Sequence, residues 1–278
     1  MRAAAVQLNA TGDKQRNTEL AERLVREAAG AGAELVVLPE KWNLLAGPDA
    51  MREGAETLDG PTLSAASSWA RRLGIHLLAG SIVELREGHE LRANTSVLLD
   101  PGGRAVAVYR KIHMFDVDVG GVSYRESESE APGEEIVTAE LGDQRVIGLS
   151  VCYDLRFPEL YRILATRGAT VLAVPSAFTA ETGRDHWEVL LRARAIENQA
   201  FVVAPNQWGP APPHYRSHGR SAIVDPWGIV LATAPDGDGY ALARLDFDSL
   251  AEIRERVPSL ANRRPQAYAW PQSEEAVH

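Results

Sequence analysis

With 278 residues, 30.2 kDa and 45% hydrophobic residues, the chain can bury a large core, and we read it as one unit, 1–278, with 265–278 as a C-terminal tail. Its 38 acidic and 29 basic residues give a net charge of −9, the wrong sign for a protein whose affinity rests on phosphate contacts, so nucleic acid is excluded as a partner. The N-terminal run Met1–Leu8 is too short for a secretory core, no apolar stretch approaches a membrane span, and a single cysteine precludes a disulfide framework; the expected setting is cytoplasmic.

In chain order, Ala3 to Leu8 reads as a strand and Thr18 to Ala29 as a helix with Leu20, Leu24 and Val25 on one face. A buried strand, Leu35 to Leu38, is closed by Pro39. A helix over Leu63 to Leu73 follows, then a strand over Ile75 to Ile82, and two strands flanking the turn Asp100 to Gly103. The second of these delivers Tyr109-Arg110-Lys111-Ile112-His113. The stretch from Phe115 to Pro132 has no clear periodicity, and a loop of that length in a compact domain is usually functional.

The run Val146 to Leu160 begins as a strand and ends as a helix starting at Pro158, which places Cys152 at the corner between them. Such a corner exposes a side chain beside backbone N–H groups able to face an oxyanion. The second half then repeats the plan. Strand Val171 to Val174, closed by Pro175, precedes a helix over Asp185 to Gln199, with Asp185 and Glu188 at capping-box spacing. Strand Phe201 to Ala204 and two strands flanking Asp225 to Gly228 complete it. The same order occurring twice predicts an α/β fold with two mixed sheets and internal pseudo-duplication.

Three motifs lie at strand ends: Leu38-Pro39-Glu40, Tyr109 to His113, and Cys152-Tyr153-Asp154. Ligands bind outside the carboxyl ends of strands, so a carboxylate, an ammonium and a thiol placed there converge on one pocket. The chemistry fits, since a thiol needs a base to take its proton or a cation to lower its pKa. Glu40 and Lys111 supply those roles. No metal site is expected: His214 and His218 are four apart, but Pro212 and Pro213 just before them oppose a helix. His113 and His186 are read as holders of structural hydrogen bonds.

These motifs resemble the nitrilase superfamily of carbon–nitrogen hydrolases, whose glutamate, lysine and cysteine match Glu40, Lys111 and Cys152 in order. Arg110 to Asp116, Cys152 to Glu159, Thr182-Gly183, His186 to Glu188, Arg192 to Asn198 and Asp225 to Gly228 look like its Nit branch, which holds ω-amidases and deaminated-glutathione amidases. The resemblance implies a four-layer αββα sandwich, usually paired as a homodimer or a larger oligomer, and no cofactor. It also implies a second glutamate, matched by Glu126 in Tyr124-Arg125-Glu126-Ser127, with Glu128 and Glu130 as neighbouring competitors. Gly219-Arg220-Ser221 departs from the pattern, because Nit relatives often carry histidine at the middle position.

The implied reaction has Cys152 attacking a small amide, Glu40 acting as base and acid, and Lys111 with the Tyr153 backbone N–H stabilising the oxyanion on the way to a thioester. A carboxylate-bearing substrate would need a local cation against the net negative charge, and Arg156, Arg184 and Arg220 are the candidates. The rival readings are an N-carbamoyl amidohydrolase, a nitrilase, or a non-enzymatic redox sensor or scaffold on the same fold.

Overall fold

The computed structural model describes residues 1–119, 121–212 and 215–268. β1 (Arg2–Leu8) is buried from Ala3 onward. α1 (Lys14–Gly30) starts before the expected Thr18 because Asp13 caps it, its side chain accepting from the Arg16 N–H at 3.0 Å. β2 (Leu35–Val37), α2 (Pro48–Glu53) and α3 (Pro61–Leu73) follow. The strand expected over Ile75 to Ile82 is two, β3 (His76–Leu78) and β4 (Ile82–Glu84). Gly80 between them has φ of +47°, and a Cβ there would meet the Pro39 carbonyl oxygen at 2.0 Å, so only glycine lets this turn lie against the segment carrying Glu40.

β5 (Ala93–Leu99) and β6 (Ala105–Arg110) pair antiparallel across the predicted turn. The stretch read as irregular holds a hairpin, β7 (Asp116–Val119) with β8 (Val122–Arg125), followed by a 310 turn at Glu126–Glu128. Its strands pair mainly with each other and alternate half-buried with exposed residues, too short a pattern to stand out in the sequence. β9 (Thr138–Glu140), β10 (Val146–Leu149), a 310 helix at Cys152–Arg156, α4 (Pro158–Thr166) and β11 (Val171–Ala173) come next.

α5 (Ala180–Asn198) begins ahead of the expected Asp185. Asp185 lies within the helix and pairs with Arg184, so the Asp185–Glu188 spacing caps nothing. Gly183, a breaker by sequence, sits in the first turns because a Cβ there would meet the His218 ring at 2.4 Å. β12 (Phe201–Ala204), β13 (Asn206–Ala211), β14 (Tyr215–His218), β15 (Ala222–Val224), β16 (Val230–Thr233), β17 (Gly239–Arg244) and α6 (Phe247–Arg256) complete the elements.

β1, β2 and β3 are parallel neighbours, extended by antiparallel β5 and β6; β10, β11 and β12 are parallel neighbours, extended by antiparallel β15 and β16. The repeat read from the sequence is therefore one sheet plan used twice. β13 and β17 leave the second half and pair with β1, enlarging the first sheet to nine strands against six in the second. Alternation within the strands builds the layers. Ala3, Ala5, Leu35 and Val37 meet Ile147, Leu149, Val171 and Ala173 between the sheets, while Ala4, Val6 and Val36 face α1 and α3. Leu160 and Leu164 of α4 with Trp187 and Leu191 of α5 join the core of the second sheet, which completes an αββα sandwich.

Among the described residues no helix is long and apolar enough to cross a membrane. In the tail Tyr268 is 67% exposed, and Trp270, like His214, lies outside the described residues.

Candidate active site

Tyr109 and Lys111 are two residues apart at the end of β6, so both side chains leave the same face and point to the second sheet. Tyr109 reaches across to Asp154, its hydroxyl donating to Oδ2 at 2.6 Å. Asp154 also accepts from the Val151 N–H at 2.8 Å and the His113 N–H at 3.2 Å, and its Oδ1 lies 2.7 Å from His113 Nδ1. This buried carboxylate pins the corner that carries Cys152. There the backbone takes φ of +48° and the Cys152 N–H donates to the Pro175 carbonyl at 2.8 Å. His113 stacks on Phe157 with ring centroids 3.6 Å apart, a structural role for that histidine.

Glu40, 3% exposed, follows Pro39 at the end of β2. Its Oε1 accepts from Asn94 Nδ2 at 2.8 Å and Lys111 Nζ at 3.2 Å, and its Oε2 accepts from the Ala177 N–H at 2.8 Å. Lys111, 1% exposed, also donates to Glu126 Oε2 at 2.6 Å. Glu126 is held by the Phe115 N–H at 2.8 Å on the same oxygen. Of its competitors, Glu128 is exposed, and Glu130 is buried but pairs with Lys41 at 2.6 Å. Glu40, Lys111, Cys152 and Glu126 thus line one cavity of about 240 Å³, together with Tyr153.

Burial pushes the Cys152 thiol well up, the Glu40 carboxylate adds to this, and Lys111 offsets part of it. The thiol is therefore protonated at rest, beside a carboxylate. Burial works against a charged Lys111, but the charges of Glu126 and Glu40 outweigh it and hold the ammonium well above its ordinary value. Burial likewise opposes a charged Glu126, whose ionised form Lys111 and Lys41 nonetheless keep far below the usual carboxylate range. The Tyr153 N–H lies in the first turn of the 310 helix, where N–H groups lack in-helix acceptors.

Of the three arginines singled out, Arg156 alone lines the cavity. Its guanidinium lies 5.0 Å above Phe178, with Nη1 3.1 Å from His186 Nδ1. Arg184 is on the outer face of α5, its side chain 77% exposed and paired with Asp185. Arg220 is exposed at a turn with φ of +59°, where its carbonyl accepts from Trp187 Nε1 at 2.8 Å. Neither reaches the cavity. Among the described residues no group of three or more His, Cys, Asp or Glu side chains is arranged to hold a metal ion.

Sequence reasoning passed over Lys41, Asn94, Asp154 and Tyr215, all in or under the site. Two signals were present: Asn94-Thr95-Ser96 is a polar run in a strand buried throughout, and Lys41 sits in an otherwise largely apolar stretch after Glu40.

Over residues 2–255 the chain matches the family described as carbon-nitrogen hydrolase. The chain belongs to the carbon–nitrogen hydrolase family. This hydrolase is 42% identical over 264 residues to the deaminated glutathione amidase of Synechocystis sp., covering 94% of this chain and 97% of the relative. It is 38% identical to an omega-amidase of Danio rerio, covering 96% of each. The C. elegans NitFhit protein superposes with a TM-score of 0.87 at 34% identity, over 96% of this chain and 66% of that one. An amidase from Nesterenkonia sp. AN1, solved after Michael addition of acrylamide at its active site cysteine, superposes with a TM-score of 0.78 at 30% identity, over 93% of this chain and 98% of that one. As a member of this family the chain is an enzyme, a cysteine-dependent amidase, which sets aside the redox-sensor and scaffold readings.

Proposed function

We propose that this hydrolase cleaves a small amide bearing a carboxylate at its far end, such as an ω-amide of a dicarboxylate or deaminated glutathione, through a thioester on Cys152. The observation that carries the chemistry is the contact of Lys111 Nζ with both Glu40 (3.2 Å) and Glu126 (2.6 Å) in the cavity that Cys152 lines. A thiol raised by burial needs a base at the moment of attack, not a preformed thiolate, and Glu40 is the carboxylate beside it.

In this mechanism Cys152 Sγ bonds to the amide carbon while its proton passes to Glu40. The carbonyl oxygen becomes an oxyanion facing Lys111 Nζ and the Tyr153 N–H. Collapse breaks the C–N bond, Glu40 returns the proton to the departing ammonia or amine, and the acyl group remains as a thioester. Water then gives a proton to Glu40 and its oxygen to the acyl carbon, releasing the acid and restoring the thiol. Glu126 keeps Lys111 charged and aimed. The chain's own residues supply each proton transfer, and the reaction requires Cys152 to stay reduced, as in a cytoplasmic setting.

The substrate class draws on the relatives named as deaminated glutathione amidase and omega-amidase, and on Arg156 as a cation lining the cavity. The test compares ammonia release from an ω-amide acid and from its methyl ester, alongside a nitrile and an N-carbamoyl compound. Loss of the carboxylate should lower kcat/KM about tenfold or more, about 1.4 kcal/mol. Equal rates for acid and ester, or turnover of the nitrile or carbamoyl compound alone, would overturn this assignment.

We also infer a homodimer. Val189 and Ile196 of α5 and Trp227 and Ile229 of the β15–β16 turn are exposed, and Ile196 lies against Gly228 of that turn, an apolar surface of the kind that pairs. Light scattering giving a monomer at micromolar concentration would refute it.

A further inference from the structure

Behind Glu126 lies a second buried lysine–glutamate contact that the mechanism above does not use. Lys41 follows Glu40 with φ of +50°, a left-handed backbone, and its side chain lines the cavity. Its Nζ donates to Glu130 Oε1 at 2.6 Å and to Glu126 Oε1 at 3.4 Å. Glu126 and Glu130 hang from one turn, with the Glu130 N–H donating to the Glu126 carbonyl at 2.9 Å. Two buried carboxylates on one turn repel each other unless a cation or a proton intervenes.

The floor of the site thus holds three carboxylates, Glu40, Glu126 and Glu130, against two ammonium groups, Lys41 and Lys111. Such a buried cluster is neutral only when one acid keeps its proton. Both oxygens of Glu40 and both of Glu126 accept hydrogen bonds. Glu130 is different: it is 2% exposed, and its Oε2 is buried with no hydrogen-bond partner. An ionised oxygen in that position is strongly disfavoured, so the proton belongs on Glu130.

We propose that Lys41 and Glu130 are positioning residues for the reaction, a hydrogen-bonded pair that fixes the Glu126–Lys111 contact and, as Glu130 loses its proton, places one negative charge behind it. This rests on the reading of Glu126 as the holder of Lys111. Burial, opposed by Lys41 and reinforced by the Glu126 charge, raises Glu130 to about 7. Burial also works against a charged Lys41, yet Glu130, Glu126 and Glu40 together hold it above its ordinary value. The groups facing Glu130 are Lys41 from the segment after β2, Glu126 from its own turn and Lys111 from the end of β6. Arg92 meets it through the backbone alone, pairing with Ser129 and Ala131.

The consequence has a definite sign. An ionised Glu130 takes more of Lys41's charge, leaves Glu126 less compensated and adds negative potential where the oxyanion forms, so kcat falls as pH rises through the titration of Glu130. Stability moves the same way. The folded state holds a proton on Glu130 that the unfolded chain has already lost, so this contribution is complete below the ordinary glutamate range and disappears as pH rises through about 7.

The test uses wild type, Glu130→Gln, Lys41→Met and Lys41→Arg, assayed on an ω-amide acid from about pH 5.5 to about pH 8.5, with thermal unfolding followed in parallel. Glu130→Gln should flatten the fall of kcat across this window and remove the accompanying fall in Tm. Lys41→Met should lower kcat about tenfold or more with KM nearly unchanged, and Lys41→Arg should recover most of the loss. Superimposable pH profiles and parallel Tm curves for wild type and Glu130→Gln would overturn the proposal. So would a Lys41→Met effect confined to KM, which would make Lys41 a substrate-binding group. If wild type hydrolyses no amide, the functional reading fails instead, while the Tm comparison still decides whether Glu130 carries the proton.

Discussion

The two repeats of the sandwich share one strand plan but bring different chemistry to the site. Equivalent strands β2 and β11 both stop at a proline, and the residues just beyond them touch: Glu40 Oε2 accepts the Ala177 N–H at 2.8 Å. From the first repeat and the hairpin after it come the charged groups, Glu40, Lys41, Lys111, Glu126 and Glu130. The second repeat gives the thiol of Cys152, the N–H of Tyr153 and one cation, Arg156. Duplication fixes where strand ends lie, while the side chains placed there are free to diverge, so a pseudo-symmetric fold can hold an asymmetric catalyst.

That contrast is sharpest at Cys152. Cys152→Ala should abolish ammonia release while the protein stays folded, and intact-protein mass spectrometry with a slow amide should show an acyl adduct on wild type and none on the variant. Turnover by the alanine variant would show that the second repeat does not supply the nucleophile. Next in size, Lys111→Met takes the proposed oxyanion donor from the first repeat and should cost about 2.7 to 4 kcal/mol in kcat, roughly a hundred- to a thousandfold. An effect seen only in KM would assign Lys111 to ground-state binding.

Asp154 is where the repeats are tied together, with Tyr109 and His113 on one side and the Cys152 corner on the other. Replacing it by asparagine keeps the shape but leaves a neutral group and a misplaced donor among these partners. Urea denaturation of Asp154→Asn should show a loss of about 2 to 3 kcal/mol, with a lower kcat because the thiol is no longer held. An unchanged midpoint would mean that the clamp is redundant. The smallest expected effect separates two arginines that look alike in the sequence. Arg156→Ala should lower kcat/KM for an ω-amide acid by about tenfold and spare its methyl ester, whereas Arg184→Ala should change either by less than about 0.5 kcal/mol. Equal sensitivity of acid and ester to Arg156→Ala would place the carboxylate elsewhere.

Much of this was legible in the chain. Strands buried on both faces read as short apolar runs, Pro39 marks where one of them stops and Pro158 marks where the helix after Cys152 starts, so the strand ends bearing Glu40 and Cys152 could be located to a residue or two. The β7–β8 hairpin was missed because its strands are short and exposed on alternate residues, and α5 was started late because the Asp185–Glu188 spacing mimics a capping box inside the helix.

By itself the sequence determined the duplicated order of elements, the residue types at the strand ends and, through their joint pattern, the catalytic class. Local propensity and the motifs act over a few residues and do not depend on how the sheets face each other. Only the tertiary structure decided that Glu126 and not Glu128 meets Lys111, that Arg156 and not Arg184 or Arg220 lines the cavity, and that Lys41 and Glu130 form a buried pair behind them. Those outcomes depend on contacts between segments distant in the chain and on how far each charge is withdrawn from water, and neither quantity is written in the spacing of residues along one strand.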